Sequence, residues 1–272
     1  MSDPVTVSVV IPCFNDGSYL PEAVESVTRV ARDDVELIVV DDGSSDERTL
    51  EELRAFEARG IHVLHQENGG LAAARNAGIR ASRGELILPL DSDNRIRGPY
   101  LVEGVEMLRR TPGAGVVYGD AEYFGARTGP WKVPEFDLGL LAKGNYIDAC
   151  ALFRKEVWTS LGGYDEGMRR VAQGWEDWEF WLRAAQRGWG FLHLDAVAFE
   201  YRVRTGSMLE TTKRHQEALL AYIFGKREND AVRIVREQAL ELDRLRPIAA
   251  SRDYRLGRLL LEKAPLLAMV AV

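Results

Sequence analysis

The segment ELILPLDSDN, residues 85–94, is an apolar run that stops abruptly in acids. Leu86-Ile87-Leu88-Pro89-Leu90 has the length and composition of a buried strand. Asp91, Ser92 and Asp93 close it. Two carboxylates beside such a run are costly unless a cation or hydrogen bonds compensate them. At a strand end they reach the rim of a sheet. There a hard divalent ion can sit on one or two carboxylates and take phosphate oxygens and water as its remaining ligands. A turn with solvated acids has the same composition.

Working outward, the same grammar recurs. Val7–Ile11 is a β-branched run ending in Pro12–Asp16, and Glu36–Val40 is another ending in Asp41–Asp46. Between them Leu20, Ala23, Val24, Val27, Val30 and Ala31 recur at helical spacing, with Pro21 near the helix start. Helices are predicted over 47–59 and 71–82, and a strand over Ile61–His65. This alternation with continuous apolar strands predicts an α/β fold, a Rossmann-like, mostly parallel doubly wound sheet flanked by helices. Ligands of such sheets collect at the carboxyl ends of the strands. Three polar strand ends on one edge form a site. No GxGxxG follows the first strand and no GxxxxGK[ST] occurs, which removes the main support for dinucleotide dehydrogenases and P-loop enzymes.

The second half is less regular. Val116–Tyr118 reads as a strand, Ala121–Gly144 as largely irregular, Gly174–Arg187 as a helix and Phe191–Tyr201 as a strand. Beyond Thr211 the pattern is helical: Val232, Val235, Ala239 and Leu242 form a stripe, and Pro247 is expected to interrupt the helix.

The chain of 272 residues carries a net charge of −7, which argues against nonspecific nucleic-acid binding. Residues 202–263 hold 14 basic and 9 acidic side chains, so the acidity lies in the body that precedes them. Cys13 and Cys150 form no CxxC or zinc pattern, and a reducing compartment is the simplest setting. The N-terminus has no signal-peptide pattern and no apolar stretch approaches ~20 residues, so a cytoplasmic location is expected.

Five motifs together resemble family 2 glycosyltransferases: VSVVIPCFN at 7–15, VDDGSSD at 40–46, ENGGLAAARNAGI at 67–79, LDSDN at 90–94 and GWEDWEFWLR at 174–183. The resemblance covers residues 7 to about 208. It implies a GT-A fold and inverting transfer from a nucleotide-diphospho-sugar, with UDP the expected nucleotide. It implies a catalytic domain over 1–208, divided into a donor half (1–95) and an acceptor half (96–208), with a helical extension over 209–272.

By that resemblance Asp42 accepts an N–H of the base, and Pro12 and Phe14 flank the ring. A turn with a helix cap is the competing reading of DDGSSD. Arg75 faces the nucleotide or is an ordinary surface arginine. Asp93 is the metal ligand, for Mn2+ or Mg2+, with Asp91 and Ser92 near the ribose or supporting the metal. Asp177 is the general base that inverting transfer requires. Glu176 orients the acceptor or the loop, and Trp175 is the acceptor contact among Trp175, Trp178 and Trp181, whose spacing of three also fits core packing. Arg202 or Arg204, in the segment Tyr201–Met208, neutralises the diphosphate.

Two other readings stand beside this one. A sugar-nucleotide nucleotidyltransferase would carry a basic Gly-rich loop after the first strand, which CFNDGSY lacks. A non-catalytic sugar-nucleotide-binding module would have lost the base, yet Asp177 and Asp93 are both present. The expected acceptor is a carbohydrate or lipid-linked molecule. Arg244, Arg246, Arg252, Arg255 and Arg258 followed by Leu259-Leu260-Leu261 suggest peripheral docking on a membrane's inner face, or a homo-oligomer interface.

Overall fold

The computed structural model describes residues 6–30, 33–204, 212 and 214–250, the side chains of 246–250 apart. Among the described residues nine strands, β1 to β9 in chain order with the bounds that follow, form one sheet in the order β3-β2-β1-β4-β8-β6-β9-β5, with β7 paired to β6. The first half follows the predicted alternation. It runs β1 (Val7–Cys13), α1 (Leu20–Thr28), β2 (Val35–Asp41), α2 (Glu47–Ala58), β3 (His62–His65), α3 (Leu71–Ala81) and β4 (Leu86–Pro89). β1 pairs in parallel with β2 and β4, and β2 with β3. All seven residues of β1 are buried, as expected of a strand covered on both faces.

The second half comprises β5 (Arg95–Ile96), α4 (Gly98–Arg110), β6 (Ala114–Gly125), β7 (Gly129–Trp131), α5 (Leu138–Lys143), β8 (Leu152–Arg154), α6 (Lys155–Leu161), α7 (Glu176–Gln186) and β9 (Gly190–Val203). Here the sheet becomes mixed. β8 runs antiparallel to β4 and β6, while the long β6–β9 ladder is parallel. The stretch 121–144, expected to be largely irregular, instead prolongs β6 to Gly125 and adds β7 and α5. Two of its glycines serve the hairpin, where Gly125 and Gly129 take positive φ angles of 88° and 117°.

Two apolar layers cover the sheet. α1, α2 and α4 pack on one face against Val9, Ile11 and Leu88. α3, α5, α6 and α7 pack on the other against Val10, Ile38 and Ile87. The chain continues as α8 (Gln216–Gly225) and α9 (Asp230–Ala250). Leu219, Ile223 and Val232 of these helices join the second layer, with Val235 packed against it. Pro247 does not interrupt α9, which continues to Ala250. Its missing N–H removes one backbone bond of the helix without ending it.

No helix among the described residues is long and apolar enough to cross a membrane. Thr205–Met208, Arg252, Arg255, Arg258 and Leu259-Leu260-Leu261 lie outside the described residues. Arg244 is exposed and pairs with Glu241 at 3.3 Å.

Candidate active site

The three polar strand ends meet on one sheet edge. Asn15, with φ 52°, ties the first to the second: its Oδ1 accepts the N–H groups of Ser45 (2.8 Å) and Asp46 (2.9 Å). Asn tolerates this left-handed conformation better than most residues. Pro12 is buried beside it, while the Phe14 ring is 50% exposed at the rim.

At the end of β2 the two aspartates divide their work. Asp41 accepts the Ser44 N–H at 2.9 Å and contacts His65 Nδ1 at 2.9 Å, so it shapes the turn. Asp42 is buried. Its Oδ1 accepts from Gln66 Nε2 (2.7 Å) and Gly69 N (2.7 Å), and its Oδ2 from Gly70 N (2.8 Å). Gly70 has φ 88° and lies at the start of α3, where free N–H groups favour an anion. Asp42 thus holds the Asn68-Gly69-Gly70 segment, and Oδ2 retains lone-pair capacity.

Arg75 is not on the surface. It is 1% exposed and lies between two acids far apart in sequence. Nη2 donates to Asp91 Oδ1 at 2.6 Å, and Nη1 donates to Glu176 Oε1. Its cation also lies over the Tyr164 ring, 5.7 Å from the centroid. One guanidinium therefore joins the acids that end β4 to those that begin α7.

Around the remaining acids a second cluster forms. Ser92 Oγ donates to Asp16 Oδ2 at 2.6 Å. Arg204 Nε donates to Asp93 Oδ2 at 2.8 Å, and Arg204 Nη2 pairs with Asp16 Oδ1 at 3.1 Å. Arg202 has a different task. Its Nε donates to the Asp93 carbonyl, its N–H to Asn94 Oδ1 and its Nη2 to Glu22, each at 2.9 Å. Arg204 faces the carboxylates and Arg202 braces the turn beneath them. Burial, reinforced by the neighbouring charges of Asp91 and Asp16 and opposed by Arg204, pushes the Asp93 carboxyl up to about 6.

Among the described residues no three His, Cys, Asp or Glu side chains converge as a metal cage. The donor set still fits a divalent ion held in part by a ligand. Asp93 is a hard oxygen donor in a locally over-acidic corner, and Mg2+ or Mn2+ at such a site takes phosphate and water oxygens as well.

Glu176 and Asp177 open α7 after Trp175, which has φ 63°. As consecutive helical positions, the two acids point in different directions. Glu176 is buried against Arg75, whereas Asp177 is half-buried. Asp177 Oδ1 accepts the Trp178 N–H at 2.8 Å and Oδ2 accepts Asn145 Nδ2 at 2.9 Å. Burial and the Glu176 charge push its carboxyl up to about 7, against the pull of Arg75. Trp178 and Trp181 are core residues, at 2% and 0% exposure, and their indoles donate to the Leu141 and Ile147 carbonyls. Only Trp175 of the stripe is part-exposed.

Sequence reasoning passed over Asp148. It is half-buried, accepts the Cys150 N–H at 2.8 Å, and is held well above the usual carboxylate range by burial and the charges of Asp91 and Asp177. A lone acid directly before the apolar run Ala149–Phe153 was the available signal. Asn145 was missed as well, because nothing in GNYID marks its amide as a partner of α7.

The profile of the family described as Glycosyl transferase family 2 matches residues 8–173. Glycosyltransferase GlyG of Streptococcus pneumoniae is 44% identical over 94 residues, 34% of this chain and 31% of that one. The chain spans 23%, 31% and 30% of the lengths of the first curated relatives it matches. Among solved structures, residues 1–349 of TarS from S. aureus in complex with UDP-GlcNAc align with a TM-score of 0.67 at 19% identity, covering 87% of this chain and 72% of that one. The mannosyltransferase PcManGT from Pyrobaculum calidifontis in complex with GDP-Man and Mn2+ aligns with a TM-score of 0.59 at 18% identity, covering 97% and 82%. These two likenesses establish the GT-A-type fold.

Proposed function

Because the chain belongs to glycosyl transferase family 2, we propose that it is an inverting, metal-dependent glycosyltransferase. It moves a sugar from a nucleotide-diphospho-sugar to an acceptor hydroxyl, in polysaccharide or glycoconjugate synthesis. The observation that carries this reading is the Arg75 bridge between Asp91 and Glu176. It brings the Asp-Ser-Asp turn and the Glu176-Asp177 pair into a single site although 84 residues lie between Asp91 and Glu176.

In this reading Pro12, Phe14 and Asp42 receive the base, with the open lone pair of Asp42 Oδ2 taking an N–H of a uracil ring. TarS with UDP-GlcNAc supports a UDP donor, and PcManGT with GDP-Man keeps the nucleotide open. Asp91 and Ser92 lie by the ribose and Arg75 fixes Asp91. Arg204, facing Asp93 and part-exposed, is better placed for the diphosphate than Arg202. Asp93 would hold Mn2+ or Mg2+, which when bound supplies neutralising charge to the departing nucleoside diphosphate.

Asp177 removes the acceptor proton as the acceptor oxygen attacks the anomeric carbon. The bond from that carbon to the diphosphate oxygen breaks on the opposite face, so configuration inverts without a covalent intermediate. A base midpoint near neutrality suits this task. Trp175 offers a ring face to a carbohydrate acceptor, while Glu176, locked to Arg75, orients the loop.

The test is a panel of UDP- and GDP-sugars with Mn2+, read as nucleoside diphosphate release with a mixed glycan acceptor. Asp177→Asn should lose transfer about 100- to 10,000-fold and keep UDP binding. Asp93→Ala should weaken metal-dependent UDP binding. Full activity in both variants would end the assignment.

A further inference from the structure

We infer that the C-terminal helix α9 is part of the catalytic apparatus: Arg236 and Asp243 are positioning residues that set the loop carrying Asn145, and Asn145 orients the Asp177 carboxylate. The inference rests on the reading of Asp177 as the base.

The chain of contacts starts on α9. Arg236 Nη1 donates to the carbonyls of Ala142 (2.9 Å) and Lys143 (3.0 Å), at the C-terminal end of α5. Such carbonyls have no partner within their own helix, and a cation there also complements the helix dipole. Lys143 Nζ in turn contacts Asp243 Oδ2 at 2.7 Å. Three side chains thus fasten the end of α5 to α9.

Two residues beyond Lys143, the Asn145 amide reaches Asp177 Oδ2. Its own Oδ1 accepts the Ile147 N–H at 3.3 Å, which fixes the side chain in place. On the far side, Trp178 Nε1 holds the Leu141 carbonyl at 2.6 Å and Trp181 Nε1 holds the Ile147 carbonyl at 3.1 Å. Residues 141–147 are therefore suspended between the indoles of α7 and the Arg236 and Asp243 side chains of α9. Asp177 Oδ1 is set by its own helix through Trp178 N. Oδ2 depends on Asn145, the one side-chain donor it has among the described residues. α9 lies beyond residues 8–173, the span that the family profile matches.

Other ionisable groups face Asp177: Glu176 on its own helix, Arg75 from α3, Asp148 after α5, Tyr164, and Tyr201 from β9. Arg236 and Asp243 reach instead the Ala142 and Lys143 carbonyls and the Lys143 ammonium. Removing Arg236 should therefore reach Asp177 through Asn145.

The experiment uses the full chain with 13C-labelled aspartate and follows the Asp177 carboxyl resonance, identified by its absence in Asp177→Asn. Asn145→Ala should move the titration midpoint upward by about half a pH unit or more, since a donor to the charged form is lost. Arg236→Ala should move it in the same direction. The double variant should match Asn145→Ala alone, and Arg236→Lys should restore much of the original midpoint. Asp243→Asn is the milder variant should Arg236→Ala lose its cooperative melt. An unmoved midpoint in Asn145→Ala refutes the first link. A midpoint moved by Asn145→Ala but not by Arg236→Ala or Asp243→Asn refutes the second. The titration needs no substrate, so transfer retained by Asp177→Asn would overturn the base assignment separately.

Discussion

Arg204 covers the carboxylate of Asp93, with Nε 2.8 Å from Oδ2. A cation arriving at Asp93 must compete with the guanidinium for that oxygen, while a diphosphate gains from both positive charges. Arg204→Ala should therefore bind Mn2+ alone several-fold more tightly and bind UDP with Mn2+ about tenfold more weakly, a loss of ~1.4 kcal/mol. Calorimetry with each ligand reads both directions, and unchanged affinities would separate Arg204 from the site.

Two of the raised acids, Asp93 and Asp177, give a pH signature. Asp93, at about 6, and Asp177, at about 7, bind protons more readily in the folded protein than in the unfolded chain. Their contribution to stability therefore increases as pH falls through 7 and 6, and is lost as pH rises. Transfer needs both in the ionised form and should decline over that same fall. Melting temperature and activity should move in opposite directions between pH 8 and 5.5. Acids held low by partners, such as Glu22, Glu36 and Asp165, stay ionised in this window and weaken the fold only at lower pH. In Asp177→Asn the melting temperature should depend less on pH.

Arg75 should be the most sensitive polar position. Replacing it with methionine leaves Glu176 buried without its cation and Asp91 without its anchor. Breaking a buried ion pair from one side costs about 3–5 kcal/mol. Urea denaturation of Arg75→Met should show a loss of that size, and adding Glu176→Gln should recover part of it. An additive loss would contradict the coupling.

The tryptophans should separate by role. Trp178→Ala removes a core ring and should cost about 3–5 kcal/mol in denaturation experiments. Trp175→Gly removes a half-buried ring but relieves a left-handed residue, φ 63°, at a cost the native chain carries of ~1 kcal/mol. Its melting temperature should change little, while its apparent affinity for a glycan acceptor falls.

The strand ends were legible because an apolar run gives way to acids within one residue, as at Leu90-Asp91 and Val40-Asp41. The helical stripe of α9 was legible for the same reason: its inward face is apolar at helical spacing. Arg75 was not. Its sequence neighbours say helix, but only the tertiary fold brings Asp91 and Glu176 to its two amino groups. The choice between Arg202 and Arg204 depends on strand register rather than composition. Asn145 and Asp148 lie in a stretch whose glycines and aromatics suppress any periodic signal, so their roles emerge only when α5 is packed between α7 and α9.

The two-residue ladder between β5 and β9 pairs Arg95 with Glu200 and Ile96 with Phe199. It acts as a ruler between the acid turn and the arginine strand. Adding or deleting one residue between Glu200 and Arg204 would present Val203 or Thr205 where the guanidinium now stands. Evolution can lengthen the hairpin tip at 126–128 without disturbing that count. On the β9 side it can change residue identities but not their number, so divergence there must proceed by substitution alone.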